Sequence, residues 1–380
     1  MTAAGCDTLR VQRPLASGAV LAEGGPGAYR HVSTEAPAPP LEEVWRYNAE
    51  GAFGPAPALP APGTVLVATR HGEVHLVDVA SGDRIGKRSF GEAIEGAPVL
   101  LNGRRLVVPV ASGRYGLLAY DLINGQRTWV RRGDPHTAGV LAVGDRLVAA
   151  AYDGTVRALD AATGVELWAH RPDSLAAFFA TPTLVGGGRV AVADDAGRVT
   201  TYALSTGRVV WSATLDAPVH ETPAAALDLL VVPTTRGAVV ALDASTGAER
   251  WRHAADPGVL FASPAATPDA ILVGGSDGVL RRLGLDGAVA WTQRFDGNVA
   301  AAPLLAGETV YVGTLDERFV ALDLGTGREV WSTTLPGRVK SAAVATDGTL
   351  IVLAEPRHLH AFRSAEPAPP ALSGAAPRQP

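Results

Sequence analysis

The sequence predicts an all-β fold: an eight-bladed β-propeller of four-stranded antiparallel blades, its ring closed by an N-terminal strand that completes the last blade. Three observations predict it. Tryptophans at 129, 168, 211, 251, 291 and 331 are separated by steps of 39, 43, 40, 40 and 40 residues, the spacing of one supersecondary unit repeated along a chain. Each period carries the same turn residues at the same offsets from its Trp. The last repeat lacks a Trp strand, while an isolated one, Leu41-Glu42-Glu43-Val44-Trp45-Arg46-Tyr47, stands ahead of the first.

Residues 1–40 are rich in Gly and Pro from position 7 onward and lack strand alternation, so they are expected to form a flexible tether. Trp45 lies 84 residues before Trp129, two periods, which leaves one Trp missing near Gly86-Lys87. In each unit a small residue and Pro open the first strand, as at Ala97-Pro98, Thr181-Pro182, Thr222-Pro223, Ser263-Pro264 and Ala302-Pro303. A Gly fourteen residues before the Trp (Gly154, Gly197, Gly237) joins the second and third strands. It stands among dipeptides such as Asp153-Gly154 and Asp277-Gly278, which are strong hairpin signals.

The third strand ends in an Asp eight before the Trp (Asp121, Asp160, Asp243, Asp323), and a Gly four before it closes the turn to the fourth. Gly supplies the positive φ such turns require. Four short strands per ~40 residues make the blade of a propeller. After Trp331 three more strands fall within 339–345, 349–353 and 358–363, and 41–47 supplies the fourth. The propeller thus spans 41–363, with no open sheet edge left to aggregate, and 364–380 is expected to be a disordered tail.

The 380 residues are 47% hydrophobic and 19% charged, with 43 Gly and 28 Pro, which fits a large core built from short strands and many turns. A net charge of −5 and the absence of a basic run exclude a nucleic-acid partner, because phosphate binding needs clustered Lys and Arg. Only Lys87 and Lys340 are Lys, which with the Ala and Gly excess reads as compositional bias. The single cysteine, Cys6, rules out an internal disulfide and a multi-Cys metal site. No apolar run approaches the ~18 residues of a membrane-spanning helix.

The recurrent residues read as structural. Trp45, Trp129, Trp168, Trp211, Trp251, Trp291 and Trp331 would each pack a large ring between neighbouring sheets. Asp121, Asp160, Asp243 and Asp323, at strand ends, would accept backbone N–H bonds within their turns. Copies degrade singly, with Ala203 and Arg363 in place of Asp and a shorter turn at Gly284, which suits redundancy rather than catalysis.

Ala-x-Asp-x-x-Thr-Gly-x-x-x-Trp, as in 321–331, resembles the tryptophan-docking motif of the pyrroloquinoline-quinone-type (PQQ-like) propellers over about 41–363. That family divides into quinone-dependent dehydrogenases and a non-enzymatic, BamB-like branch of outer-membrane assembly lipoproteins. The alcohol-oxidising enzymes carry an adjacent Cys-Cys pair that this chain cannot make. Neither Asp194-Asp195 nor Glu221 stands in a spacing that assembles a calcium and quinone pocket. The expectation is therefore a non-enzyme with no cofactor; a quinoprotein dehydrogenase using PQQ is the alternative, and a ligand- or surface-sensing propeller a third.

Ala3-Ala4-Gly5-Cys6 resembles the end of a bacterial lipoprotein signal, without the apolar segment that precedes one. Cys6 is accordingly the candidate lipidation site of an envelope protein that touches the membrane only through that anchor. If the chain starts at Met1, the propeller is cytoplasmic. The resemblance implies protein partners in the cell envelope, with the outer-membrane barrel assembly complex foremost, for a propeller that is itself monomeric. Partner contacts are expected on the loops leading from each Trp strand to the next blade. Phe178 and Phe179, and Leu260 and Phe261, give two of these loops unusual apolar weight, whether as an exposed binding surface or as caps on the core. His220-Glu221 is the one His-acid pair near the expected channel mouth, read as a partner-facing loop or a general base. A departure from the BamB-like pattern is the short segment 215–221, where that branch has a long polar loop.

Overall fold

A computed structural model describes residues 9–15, 31–54, 58–91, 93–171, 176–256 and 258–365. Eight four-stranded antiparallel sheets succeed one another along the chain, each ordered from an inner to an outer strand. Blades 1 to 7 span 59–89, 99–132, 141–170, 183–214, 224–254, 265–294 and 304–334. Blade 8 takes its three inner strands from Val344–Thr346, Thr349–Ala354 and His358–Ser364, and its outer strand is Leu41–Asn48. That closing strand pairs antiparallel with His358–Ser364, Leu41 opposite Ser364 and Asn48 opposite His358. The ring is closed where the sequence placed the closure.

Strand composition follows position in the ring. A second strand is covered by a neighbouring blade on each side, so Leu229–Pro233 is buried throughout and reads as an unbroken apolar run. An outer strand faces solvent, so Glu329–Thr334 alternates exposed and half-buried residues. Inner strands are three residues long, or two in Ala265–Ala266, shorter than expected, because the residues ahead of them form the channel mouth instead. In every blade the pairing with the outer strand slips by one residue just before the Trp position, as between Ala321 and Leu322. This bulge pushes the preceding apolar residue outward, which is why Ile85, Leu167 and Val330 are exposed on the rim.

Eight apolar clusters fill the eight seams between blades. Six of the seams share one fastening. The indole N–H of Trp45 donates to the Val79 carbonyl of the next blade at 2.9 Å, Trp129 to Ala161, Trp168 to Leu204, Trp211 to Ala244, Trp251 to Leu285 and Trp291 to Leu324. Each ring also lies against the turn Gly of that blade, so closely that a Cβ on Gly247 would stand 2.5 Å from Trp211. Where the turn carries an Asp, that side chain holds the same segment in place. Asp243 accepts the N–H groups of Ser245 and Thr246 at 3.0 and 2.9 Å, and Asp160, Asp121 and Asp323 act alike. Trp331 packs edge-on against Phe362 instead, at 5.7 Å between centroids.

The seam between blades 1 and 2 lacks its Trp, and the N-terminal segment replaces it. Leu9 is fully buried in that seam's cluster beside Leu76, Tyr120 and Leu122. The Val11 N–H donates to the Leu122 carbonyl at 2.8 Å. Leu15 N–H bonds the Gly103 carbonyl at 2.7 Å, so 9–15 runs along the turns of blade 2. Farther on, Val32 bridges Leu305 in parallel, Glu35 accepts the Asp347 N–H, and the Tyr311 hydroxyl donates to the Pro37 carbonyl. The flexible tether expected over 1–40 is therefore corrected for these stretches. Their apolar side chains and backbone groups find partners on the ring, which outweighs their Gly- and Pro-rich surroundings. Cys6 and the tail from 366 onward lie outside the described residues.

Candidate interaction face at the channel mouth

The loops that carry the chain from each outer strand to the next inner strand converge on one end of the ring. They line a cavity of about 350 Å³ at the mouth of the central channel, with Glu95, Thr137, Thr181, Glu221, Ser263 and Lys340 on its wall. The small residues before the prolines are hydrogen-bonded to one another from blade to blade. Thr181 Oγ1 accepts the Gly139 N–H, Thr222 Oγ1 the Thr181 N–H and Ser263 Oγ the Thr222 N–H, each at 3.1 Å. A proline next in sequence contributes no donor, so these hydroxyls satisfy backbone groups that would otherwise face the channel unpaired. The sequence marked the positions as small; their hydroxyl function becomes visible only when four blades stand side by side.

Glu221 sits in this belt, its Oε2 accepting from Ser263 Oγ at 2.8 Å. It is open to the channel yet walled by protein on its other sides, and the resulting desolvation raises its carboxyl pKa. Lys340, across the mouth, is held by Glu355 at 2.7 Å. His31 lines the same cavity, with its pKa pushed down to about 4 by burial.

The aromatic loops divide their residues between the two expected roles. Phe178 and Phe261 are buried between blades, Phe261 under the Arg281 guanidinium at 5.4 Å. Phe179 and Leu260 are exposed, at 37% and 55%. The two loops have the same spacing to their prolines but turn opposite members outward, so each loop gives one side chain to the core and one to the surface. Phe179 lies between the exposed Tyr152 ring, at 6.1 Å and 82°, and the His220 ring, at 4.8 Å. Tyr152 comes from a hairpin of blade 3 and was not singled out from the sequence. Leu260 follows on the loop into blade 6, with Ser276 Oγ accepting its N–H at 2.9 Å. Tyr152, Phe179, His220 and Leu260 form an apolar and aromatic rim beside a polar channel mouth. Asp194, by contrast, is buried and caps its own hairpin, accepting the Ala196 and Arg198 N–H groups.

Among the described residues no three His, Cys, Asp or Glu side chains converge in a way that could hold a metal ion.

These features define a PQQ-type propeller whose seams are fastened by tryptophan docking. The chain matches the family model described as outer membrane protein assembly factor BamB over residues 40–170, 152–285 and 276–366, and it belongs to that family. BamB of Burkholderia pseudomallei is 28% identical over 263 residues, 61% of this chain and 64% of the relative. The serine/threonine-protein kinase AfsK of Streptomyces griseus is 28% identical over 285 residues, 61% of this chain and 35% of the kinase. Each match spans less than two thirds of the relative's own length. The crystal structure of BamB from Moraxella catarrhalis superposes with a TM-score of 0.70 at 19% identity, covering 85% of this chain and 99% of that one. A europium-containing methanol dehydrogenase shares the fold with a TM-score of 0.72 at 11% identity, covering 90% of this chain and 99% of that one.

Proposed function

We propose that this propeller is a non-catalytic interaction scaffold of the bacterial cell envelope, acting in outer-membrane protein assembly and binding its partner through the face at the channel mouth. The observation that carries this reading is the exposed Phe179, flanked by Tyr152 and His220 and followed by Leu260, beside the polar cavity of the channel mouth. Exposed aromatic rings rimmed by polar groups are the usual anchors of protein interfaces. Family membership supplies the assembly context.

Cys6 is proposed as the acylated residue. It stands three positions before the docked Leu9, a span of ~10 Å for extended chain. Anchoring there would bring the turns of blade 2, at the end of the ring opposite the channel mouth, close to the membrane. The interaction face would then point away from the lipid.

The test is a pull-down with the barrel-assembly component as bait. Specific enrichment over an unrelated propeller supports the reading, and equal recovery sinks it. A ligand- or surface-sensing role with another partner is the second reading, supported by the match to a kinase region of similar length. A quinoprotein would instead show a quinone absorbance band and dye-linked oxidation of alcohols or sugars after reconstitution with PQQ.

A further inference from the structure

The inner strands of a propeller present an unpaired edge to the channel. In an antiparallel pair alternate residues direct both N–H and C=O away from the partner strand, and in the inner strand Leu304–Ala306 that residue is Leu305, opposite Val310. Its two groups are not left to water. Leu305 N–H donates to the His31 carbonyl at 2.7 Å, and the Ser33 N–H donates to the Leu305 carbonyl at 2.8 Å. The residues around Val32 thus make a parallel β-bridge to Leu304–Ala306 on the channel side of blade 7.

Little about this contact is specific to side chains. Val32 is 42% exposed, and the bridge is made by backbone groups alone. The equivalent central residues of other inner strands, such as Ala142 and Leu184, have no backbone partner on the channel side among the described residues. Blade 7 differs from them in having a segment of its own chain on that edge. The segment enters from the cavity, since His31 lines the channel mouth. It leaves toward the opposite end, where Glu35 Oε2 accepts the Asp347 N–H at 3.2 Å.

We propose that the channel edge of blade 7 is a strand-acceptor site for an extended peptide, occupied in cis by residues 31–33 and opened when that segment is released. Main-chain hydrogen bonds give such a site its affinity, and the adjoining cavity receives the side chain on the upstream flank, as it now receives His31. The site is defined by these backbone contacts independently of the assembly reading and survives if that reading fails.

The test uses the full chain carrying Ser33→Pro, which deletes the donor to Leu305 while leaving the ring and its closing strand in place. Ser33→Ala, which keeps the N–H, is the control. Hydrogen exchange of the Leu305 amide should quicken by about tenfold or more in Ser33→Pro and stay unchanged in Ser33→Ala. A fluorescent peptide of residues 31–38 should bind Ser33→Pro at least about tenfold more tightly than the unaltered chain, and photo-crosslink to Leu304–Ala306. The same peptide with Ser33→Pro should not bind. Unchanged exchange at Leu305, equal binding to both proteins, no binding to either, or crosslinks to another blade would each overturn the proposal.

Discussion

The Val11 N–H and the Leu122 carbonyl, 2.8 Å apart, reproduce with backbone what an indole N–H does at six other seams. Leu122 follows the turn Asp of blade 2, as Val79, Ala161 and Ala244 follow theirs in blades 1, 3 and 5. Where the Trp should be, Gly86 leaves a gap, and Leu9 supplies the apolar bulk. Residues 9–11 are thus a working part of the ring.

It follows that Leu9→Ala should destabilise the protein by about 2–4 kcal/mol, the cost of a large-to-small change at a fully buried site. Denaturant unfolding measures this. A change below ~0.5 kcal/mol, the range of ordinary surface substitutions, would show that the segment does not hold the seam.

The turn glycines can be separated by what a methyl group would meet. Gly247 has φ +77° and the Trp211 ring 2.5 Å from an added Cβ, whereas Gly307 has φ +57° and nothing within 4 Å. Gly307→Ala should cost only the left-handed strain, about 1–2 kcal/mol. Gly247→Ala adds overpacking of about 1–3 kcal/mol, and thermal unfolding should rank the two accordingly. Equal costs would mean that the Trp does not rest on that turn.

Acid should weaken the turns. The Thr163 and Thr326 hydroxyls hold Asp160 and Asp323 below the usual carboxylate range, the Arg104 guanidinium does so for Asp121, and the Ser245 hydroxyl and Arg250 depress Asp243 strongly. A depressed folded pKa means stability that is full above the unfolded value near 3.9 and lost as pH falls through the folded one. Melting temperature should drop progressively below about pH 5, with a shallower slope in Asp243→Asn. An identical slope would remove Asp243 from the account.

A second acid response belongs to the closing strand Leu41–Asn48. Buried His75 contacts the Tyr47 hydroxyl at 2.7 Å and faces Glu73, Lys87 and Arg84, while buried His360 contacts Glu43 at 3.1 Å and faces Arg46 and His358. Burial lowers both pKa values against the opposing pull of Glu73 and Glu43. The folded chain therefore resists protonation that the unfolded chain accepts from about pH 6.5 downward. Stability conferred above that pH is lost as pH falls through the folded values. Between pH 7 and 5 the double variant His75→Gln, His360→Gln should lose less melting temperature than the unaltered chain. An equal or greater loss would contradict this.

The ring was legible because the residues that fasten it recur. Trp129, Asp160 and Gly247 do the same job in different blades, so spacing alone exposes them. Leu9 was not legible, since its meaning depends on a Trp absent at Gly86, far away in sequence. The split between Phe179, exposed, and Phe261, buried, was equally hidden, because both stand three residues before a proline and only the neighbouring blade decides which ring turns inward. The hydroxyl belt through Thr181, Thr222 and Ser263 was half legible: smallness shows in the sequence, but the hydrogen bonds cross blades.

The most direct measurement is the affinity of the barrel-assembly component for the propeller with and without Phe179→Ala and Leu260→Ala together. Both side chains are at the surface, so melting temperature should hold while binding weakens by more than about tenfold, as for truncated interface anchors. Unchanged binding by a folded double variant would contradict a partner face at the channel mouth.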